Sequence, residues 1–109
     1  MVLMSRKEAM NMTIRKTLDH SALLVALEGR LDTTTAPELD ETLKGSLEGV
    51  TDLTLDLEKL DYLSSAGLRV FLSAQKRMSK QGTMTVKNVN ETIMEIFEIT
   101  GFADILTIQ

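Results

Sequence analysis

The sequence predicts an α/β domain. Its single mixed β-sheet opens with an antiparallel hairpin, continues through alternating helices and strands, and carries its helices mainly on one face. Three observations lead there. Two strand-like stretches, 12–18 and 21–28, are separated only by Asp19 and His20, a link too short for anything but an antiparallel pair. Beyond Gly29 the apolar spacing switches repeatedly between helical and strand periods, as it does when helices alternate with strands. Finally, 109 residues with 43% apolar content suit one core and one domain. With 4% aromatics and no Trp, that core must be aliphatic.

Taken in order, residues 1–11 show no clear period and are expected to be a flexible leader or a weak edge segment, with the domain spanning 12–109. Residues 12–18 alternate, Met12, Ile14 and Leu18 against Thr13, Arg15 and Thr17, as a half-exposed strand does. Residues 21–28 form a nearly continuous apolar run, which predicts a strand buried on both faces. Thr35 and Glu38 have capping-box spacing, and Pro37 falls in the first turn, where its missing N–H costs little. Ala36, Leu39, Leu43 and Leu47 then make one helical stripe, with Gly49 as its stop. Residues 52–57 alternate strictly and predict a strand; 58–63 read as a connection.

A second helix, capped by Ser64 or Ser65, runs to about Lys80, with Leu68, Phe71, Leu72 and Gln75 inward and Val70 and Ala74 adjoining. Gln81 and Gly82 stop it. Residues 83–87 alternate as a short strand. Asn90 caps a third helix whose inward stripe is Ile93, Ile96, Phe97 and Thr100, ending at Gly101. Residues 105–108 are a last short strand or an extended tail. Strands joined through helices lie parallel, and functional loops of such sheets gather at the carboxyl ends of the strands. Loops 28–35 and 58–65 should therefore emerge together, which makes Asp32 a neighbour of Ser64 and Ser65.

Composition excludes several classes of function. A net charge of −4 gives no basic field for nucleic acid. With no Cys, disulfides and thiolate metal sites are ruled out. No apolar run approaches the roughly 20 residues of a membrane helix, and no signal-peptide pattern is present, so a cytoplasmic protein without membrane insertion is expected. The only His is His20, in the hairpin turn and far from the serines, and no glycine stands two residues before either serine. A serine hydrolase is therefore not predicted. Asp32, Asp56, Glu58 and Asp61 have the oxygen chemistry of a Mg²⁺ site, but are read as solvated or capping groups. No phosphate-binding glycine loop occurs. The chain is expected to hold no metal or cofactor and to be no enzyme.

What remains is the serine pair where a strand hands over to a helix. A helix N-terminus offers unpaired N–H groups and partial positive charge. It suits a plain serine cap, and it equally suits a serine that becomes an anion. The helix that follows carries Arg69, Lys76, Arg77 and Lys80 and no acid between Ser65 and Gln81, a locally basic segment in an acidic protein.

Gly29-Arg30-Leu31-Asp32, Thr35-Ala36-Pro37-Glu38-Leu39, Leu55-Asp56-Leu57 and Tyr62-Leu63-Ser64-Ser65-Ala66-Gly67-Leu68-Arg69, in this order and spacing, resemble the STAS domain of bacterial anti-sigma-factor antagonists. The resemblance extends from about Met12 to Ile108. It implies partner switching: the unphosphorylated protein binds an anti-sigma factor that is also a serine kinase and so frees a sigma factor. Phosphorylation breaks the complex, and a phosphatase restores it. Alignment on Gly67 implies Ser65 as acceptor, with Ser64, in the place of the usual acid, as the alternative. The partner surface implied comprises Asp32, Thr34, Ser64, Gly67, Arg69 and Lys76, with Arg77 beside them; the basic residues read equally well as a solvated helix face. The other reading is a non-phosphorylated STAS subunit of a larger assembly, such as a stress-signalling complex or a lipid transporter.

Overall fold

The computed structural model describes residues 12–109; the expected leader or edge segment at 1–11 lies outside the described residues. One sheet runs in the order β1-β2-β3-β4. β1 (Met12–Asp19) pairs antiparallel with β2 (Ala22–Leu31). β2 pairs parallel with β3 (Asp52–Leu63), and β3 parallel with β4 (Thr83–Lys87). Helix α1 (Ala36–Ser46) connects β2 to β3, and α2 (Ser65–Gln81) connects β3 to β4. Helix α3 (Glu91–Thr100) follows and packs on β3, leading to a 3₁₀ turn at Phe102–Asp104.

Leucine, valine and one methionine at alternate strand positions fill one face of the sheet: Leu23, Val25 and Leu27 from β2, Leu53, Leu55 and Leu57 from β3, Met84 and Val86 from β4, all buried. The helices close over them. The whole predicted stripe of α1, Ala36, Leu39, Leu43 and Leu47, is buried. Phe71 of α2 and Phe97 of α3 meet with ring centroids 6.3 Å apart. Among the described residues no helix covers the opposite face of the sheet. Strand β2 is consequently not buried on both faces, as its apolar run suggested, because Leu24 and Ala26 stay partly exposed there. β1 is a sheet edge, with Met12 buried and Leu18 63% exposed.

β3 departs most from the expected pattern. It does not end at Leu57 but runs on to Leu63. Its pairing with β2 slips twice, between Ala26 and Glu28 and again between Gly29 and Arg30. At each slip β3 carries one more residue than its partner. Such a bulge turns the following side chains to the other face, so Leu57, Leu60 and Leu63, three apart, all point inward and are buried. Gly29, beside the second slip, has φ +100°, a left-handed value that side chains resist.

Three further expectations change. The inward residues of α2 are Gly67, Leu68, Val70, Phe71, Ala74 and Met78; Leu72 and Gln75 sit at the margin, half-buried. On α3, Ile93 and Phe97 are buried, Ile96 is half-buried and Thr100 is exposed. Residues 105–108 form no strand, only a single parallel bridge from Ile108 to Val86.

Gly67 lets the first turn of α2 press onto the strand ends. A Cβ there would lie 2.6 Å from Leu31 Cγ and 2.7 Å from Leu63 Cδ1, whereas one on Gly45 of α1 would meet nothing within 4 Å. Gly45→Ala should therefore stabilise the protein by about 0.5–1 kcal/mol through helix propensity. Gly67→Ala should destabilise it, because overpacking of about 1–3 kcal/mol outweighs that gain. Urea unfolding would show the two midpoints moving in opposite directions at unchanged slope; a rise for Gly67→Ala would contradict the packing described.

Candidate functional site

The two parallel strands β2 and β3 finish level. Leu31 is in register with Leu63, and the Ser64 N–H donates to the Leu31 carbonyl at 2.9 Å. Asp32 and Ser64 are thus the first residues beyond a paired position, and their loops leave the sheet side by side at its carboxyl end. His20 is at the other end of β2, in the hairpin turn, with Nδ1 2.8 Å from Asp19 Oδ1.

The Asp32 loop is tied by its own side chains. Asp32 Oδ1 accepts from the N–H groups of Thr34 at 3.0 Å and Thr35 at 3.1 Å. Thr35 is buried, and its hydroxyl donates to the Arg30 carbonyl at 2.7 Å and accepts from the Asp32 N–H at 2.9 Å. This replaces the expected capping box. Thr35 is the N-cap residue of α1 but has αR dihedrals (φ −97°, ψ −20°) and forms no side-chain cap. Its hydroxyl is directed back at the loop rather than forward at the helix. Arg30 Nε lies 3.7 Å from Asp32 Oδ2, and the Arg30 guanidinium carbon is 4.2 Å from the Tyr62 ring centroid.

Burial raises the Asp32 pKa, but hydrogen bonds from the Thr35 and Thr34 backbone and the Thr35 hydroxyl, together with the Arg30 charge, outweigh it. The net result is a carboxyl held below its ordinary value. Thr34 itself is exposed.

Ser64 and Ser65 differ sharply. Ser64 is the N-cap residue of α2, with extended dihedrals (φ −99°, ψ 175°), yet its side chain makes no cap hydrogen bond. Its Oγ is buried and finds no partner among the described residues. The capping role expected of one serine is therefore filled by neither side chain. Ser65 is the first helical residue and is exposed. The first helical hydrogen bond runs from the Leu68 N–H to the Ser64 carbonyl at 3.0 Å, so the amides of Ser65, Ala66 and Gly67 precede the helix's internal ladder.

Of the remaining predicted residues, Gly67 is buried and packs against Leu31 and Leu63 rather than lying on the exposed surface. Arg69 and Lys76 are exposed. At 100° per residue Ser65, Arg69, Lys76 and Lys80 fall within about 60° of one another, so one face of α2 carries the acceptor candidate and three cations. Arg77 leaves this face, and its Nη1 reaches the Lys44 carbonyl at 3.4 Å across the α1–α2 groove. The acids do not converge with Asp32: Asp56 accepts from the Glu58 N–H and from Asn88 Nδ2, and Glu58 and Asp61 are exposed. Among the described residues no helix is long and apolar enough to cross a membrane.

Sequence reasoning missed the Thr35 hydroxyl as the anchor of the loop, and the stacking of Arg30 on Tyr62. The stacking depends on the pairing of Arg30 with Tyr62 across β2 and β3, and the hydroxyl on the αR backbone of Thr35; neither has a local sequence pattern. Asn90 was legible as a cap, and its Oδ1 accepts from the Ile93 N–H at 2.9 Å. Its second bond, from Nδ2 to the Leu60 carbonyl at 2.9 Å, was not.

A mixed four-stranded sheet with two loops paired at its carboxyl end is the fold on which the comparison falls: the STAS domain profile matches residues 9–109. The anti-sigma-B factor antagonist of Bacillus subtilis (strain 168) is 33% identical over 101 residues, covering 92% of this chain and 93% of that protein. The chain belongs to the STAS anti-sigma-factor antagonist family. Two solved structures share the fold. An anti-sigma factor antagonist from Mycobacterium paratuberculosis matches with TM-score 0.80 at 19% identity, over 90% of this chain and 85% of that one. The Bacillus cell fate determinant SpoIIAA in its phosphorylated form matches with TM-score 0.70 at 16% identity, over 89% and 91%.

Thr35→Val should cost about 1–3 kcal/mol, since it leaves the Arg30 carbonyl and the Asp32 N–H without their partner. Ser64→Ala, which removes a hydroxyl without a partner among the described residues, should cost less, and chemical denaturation would rank the two. The depressed Asp32 pKa stabilises the fold above the unfolded value of about 3.9, and that stabilisation is lost as pH falls through the lower folded value. The stability gap between wild type and Asp32→Asn should accordingly be constant near neutrality and close in strong acid; a gap that widened on acidification would contradict this.

Proposed function

We propose that the chain is a cytoplasmic anti-sigma-factor antagonist that acts by partner switching and performs no catalysis of its own. Unphosphorylated, it binds an anti-sigma factor that is also a serine kinase, and a sigma factor is released. The kinase transfers the γ-phosphoryl group of ATP to Ser65 Oγ, ADP leaves, and the hydroxyl proton goes to the kinase's base. A protein phosphatase hydrolyses the phosphoserine and resets the cycle.

The observation that carries this reading is the exposed Ser65 at the first position of a helix already formed. The single His of the chain stands at the far end of β2, so activation of the hydroxyl falls to an outside enzyme. A phosphate there adds about −1.5 to −2 charges beside the ionised Asp32 loop. Backbone amides and the helix dipole accommodate it without refolding. A partner with an acidic docking surface is repelled. The resemblance to antagonists over nearly the whole chain, one of them known in a phosphorylated form, supports the same reading.

The test is binding by calorimetry to the cognate anti-sigma factor. Ser65→Ala should bind like wild type, and Ser65→Asp should bind at least tenfold more weakly with an unchanged far-UV spectrum. Incubation with the kinase and ATP should add one phosphate to wild type and none to Ser65→Ala. Phosphate on Ser64 instead, or equal binding by both Ser65 variants, would overturn the assignment. The second of these outcomes would favour a constitutive subunit of a larger assembly.

A further inference from the structure

Arg69 stands one helical turn after Ser65, on the same exposed face of α2. Residues four apart on a helix have their Cβ atoms about 5–6 Å apart. Helical side chains also tilt toward the N-terminus, so a residue covers the turn that precedes it. The Arg69 side chain is therefore inclined toward Ser65. It is also uncommitted: among the described residues the ion pairs formed by arginine are those of Arg15 with Glu28 and Arg30 with Asp32. Arg30 is occupied twice over, by Asp32 and by the Tyr62 ring. Lys76 shares the face of Arg69 but lies 11 residues from Ser65, roughly 16 Å along the axis at 1.5 Å per residue, beyond the reach of a side chain.

We propose that Arg69 is a phosphate clasp: when Ser65 is phosphorylated, the Arg69 guanidinium folds back one turn and pairs with the phosphate oxygens. This inference rests on Ser65 as the acceptor and names how the modified state is held. Guanidinium and phosphate match in geometry, with two parallel N–H···O bonds. The amides of Ser65, Ala66 and Gly67 supply further donors at the same end of the helix. The consequence for a partner is double. Phosphorylation adds negative charge to the surface, and it also withdraws the cation of α2 closest in sequence to the acceptor, which the unphosphorylated protein presents outward. Arg69 is thus a positioning residue for the phosphate in one state and a contact residue in the other.

The test uses protein carrying phosphoserine at position 65, introduced during translation, so that it does not depend on any kinase recognising the chain. The second ionisation of the phosphate, about pH 6 for phosphoserine, is followed by ³¹P NMR as a function of pH at low salt. The helix N-terminus affects every variant equally, so the difference between variants isolates the side chain. Removing Arg69 as Arg69→Gln should raise the midpoint by about half a unit relative to the unsubstituted phosphoprotein, Arg69→Lys should fall between them, and Lys76→Gln should leave it unchanged. Equal midpoints for Arg69→Gln and the unsubstituted phosphoprotein would overturn the clasp. A rise of the same size for Lys76→Gln would overturn it too, since the effect would then be the general field of the basic face. Failure of a kinase to modify Ser65 would count against the proposed function and leave this result standing.

Discussion

Everything at the functional end of the molecule depends on β2 and β3 finishing level. The Leu31–Leu63 pairing and the bond from the Ser64 N–H to the Leu31 carbonyl set the heights of two loops that are far apart in sequence. The alignment is not automatic, because β3 needs 12 residues to cover what β2 covers in 10. The two bulges absorb the difference. They also preserve the phase of burial, so Leu60 and Leu63 reach the core and the next residue is delivered to the start of α2. Gly67 then allows that helix to close on the same two leucines that end the strands.

The site so formed is rigid on both sides by different means. The Asp32 loop is held by polar bonds among Arg30, Asp32, Thr34 and Thr35, with the buried Thr35 hydroxyl satisfying two backbone groups at once. The serine side is held by packing, since Gly67 and Leu68, in the same first turn as the exposed Ser65, are buried. A chemical group placed on Ser65 sits on a surface whose shape is fixed beforehand. The Ser64 hydroxyl is the exception, a buried polar group with no partner among the described residues, which costs the fold stability.

Much of this architecture was legible in the sequence, and what was not has definite causes. The stripe Ala36, Leu39, Leu43, Leu47 identified α1 because nothing interrupts a single helical period. The hairpin was legible from the shortness of its turn. Residues 58–63 looked like a connection because bulges convert a period of two into a spacing of three, which matches neither strand nor helix. Strand β2 looked doubly buried because composition alone does not reveal that the helices of the described residues all pack on one face of the sheet. The place of Asp32 beside the serines followed from strand order; the direction of the Thr35 hydroxyl did not, since it is decided by a backbone angle that its sequence neighbours leave free. Leu72 sits at the margin and Met78 in the core because the buried arc of α2 follows the neighbours it meets, β3, β4 and α1, and not hydrophobicity alone.

The double slip in β3 has a consequence for how this stretch can vary over evolutionary time. The exposed pair Glu58 and Lys59 has no evident need of its particular side chains, so substitution there should be easy to accept. Chain length is another matter. Losing one residue between Leu57 and Leu60 would erase a bulge, rotate Leu60 toward solvent and bring the serines to the helix one step early. Drift in this segment is thus free in chemistry and closed to insertions and deletions, the reverse of what is usual for an exposed polar stretch between apolar ones.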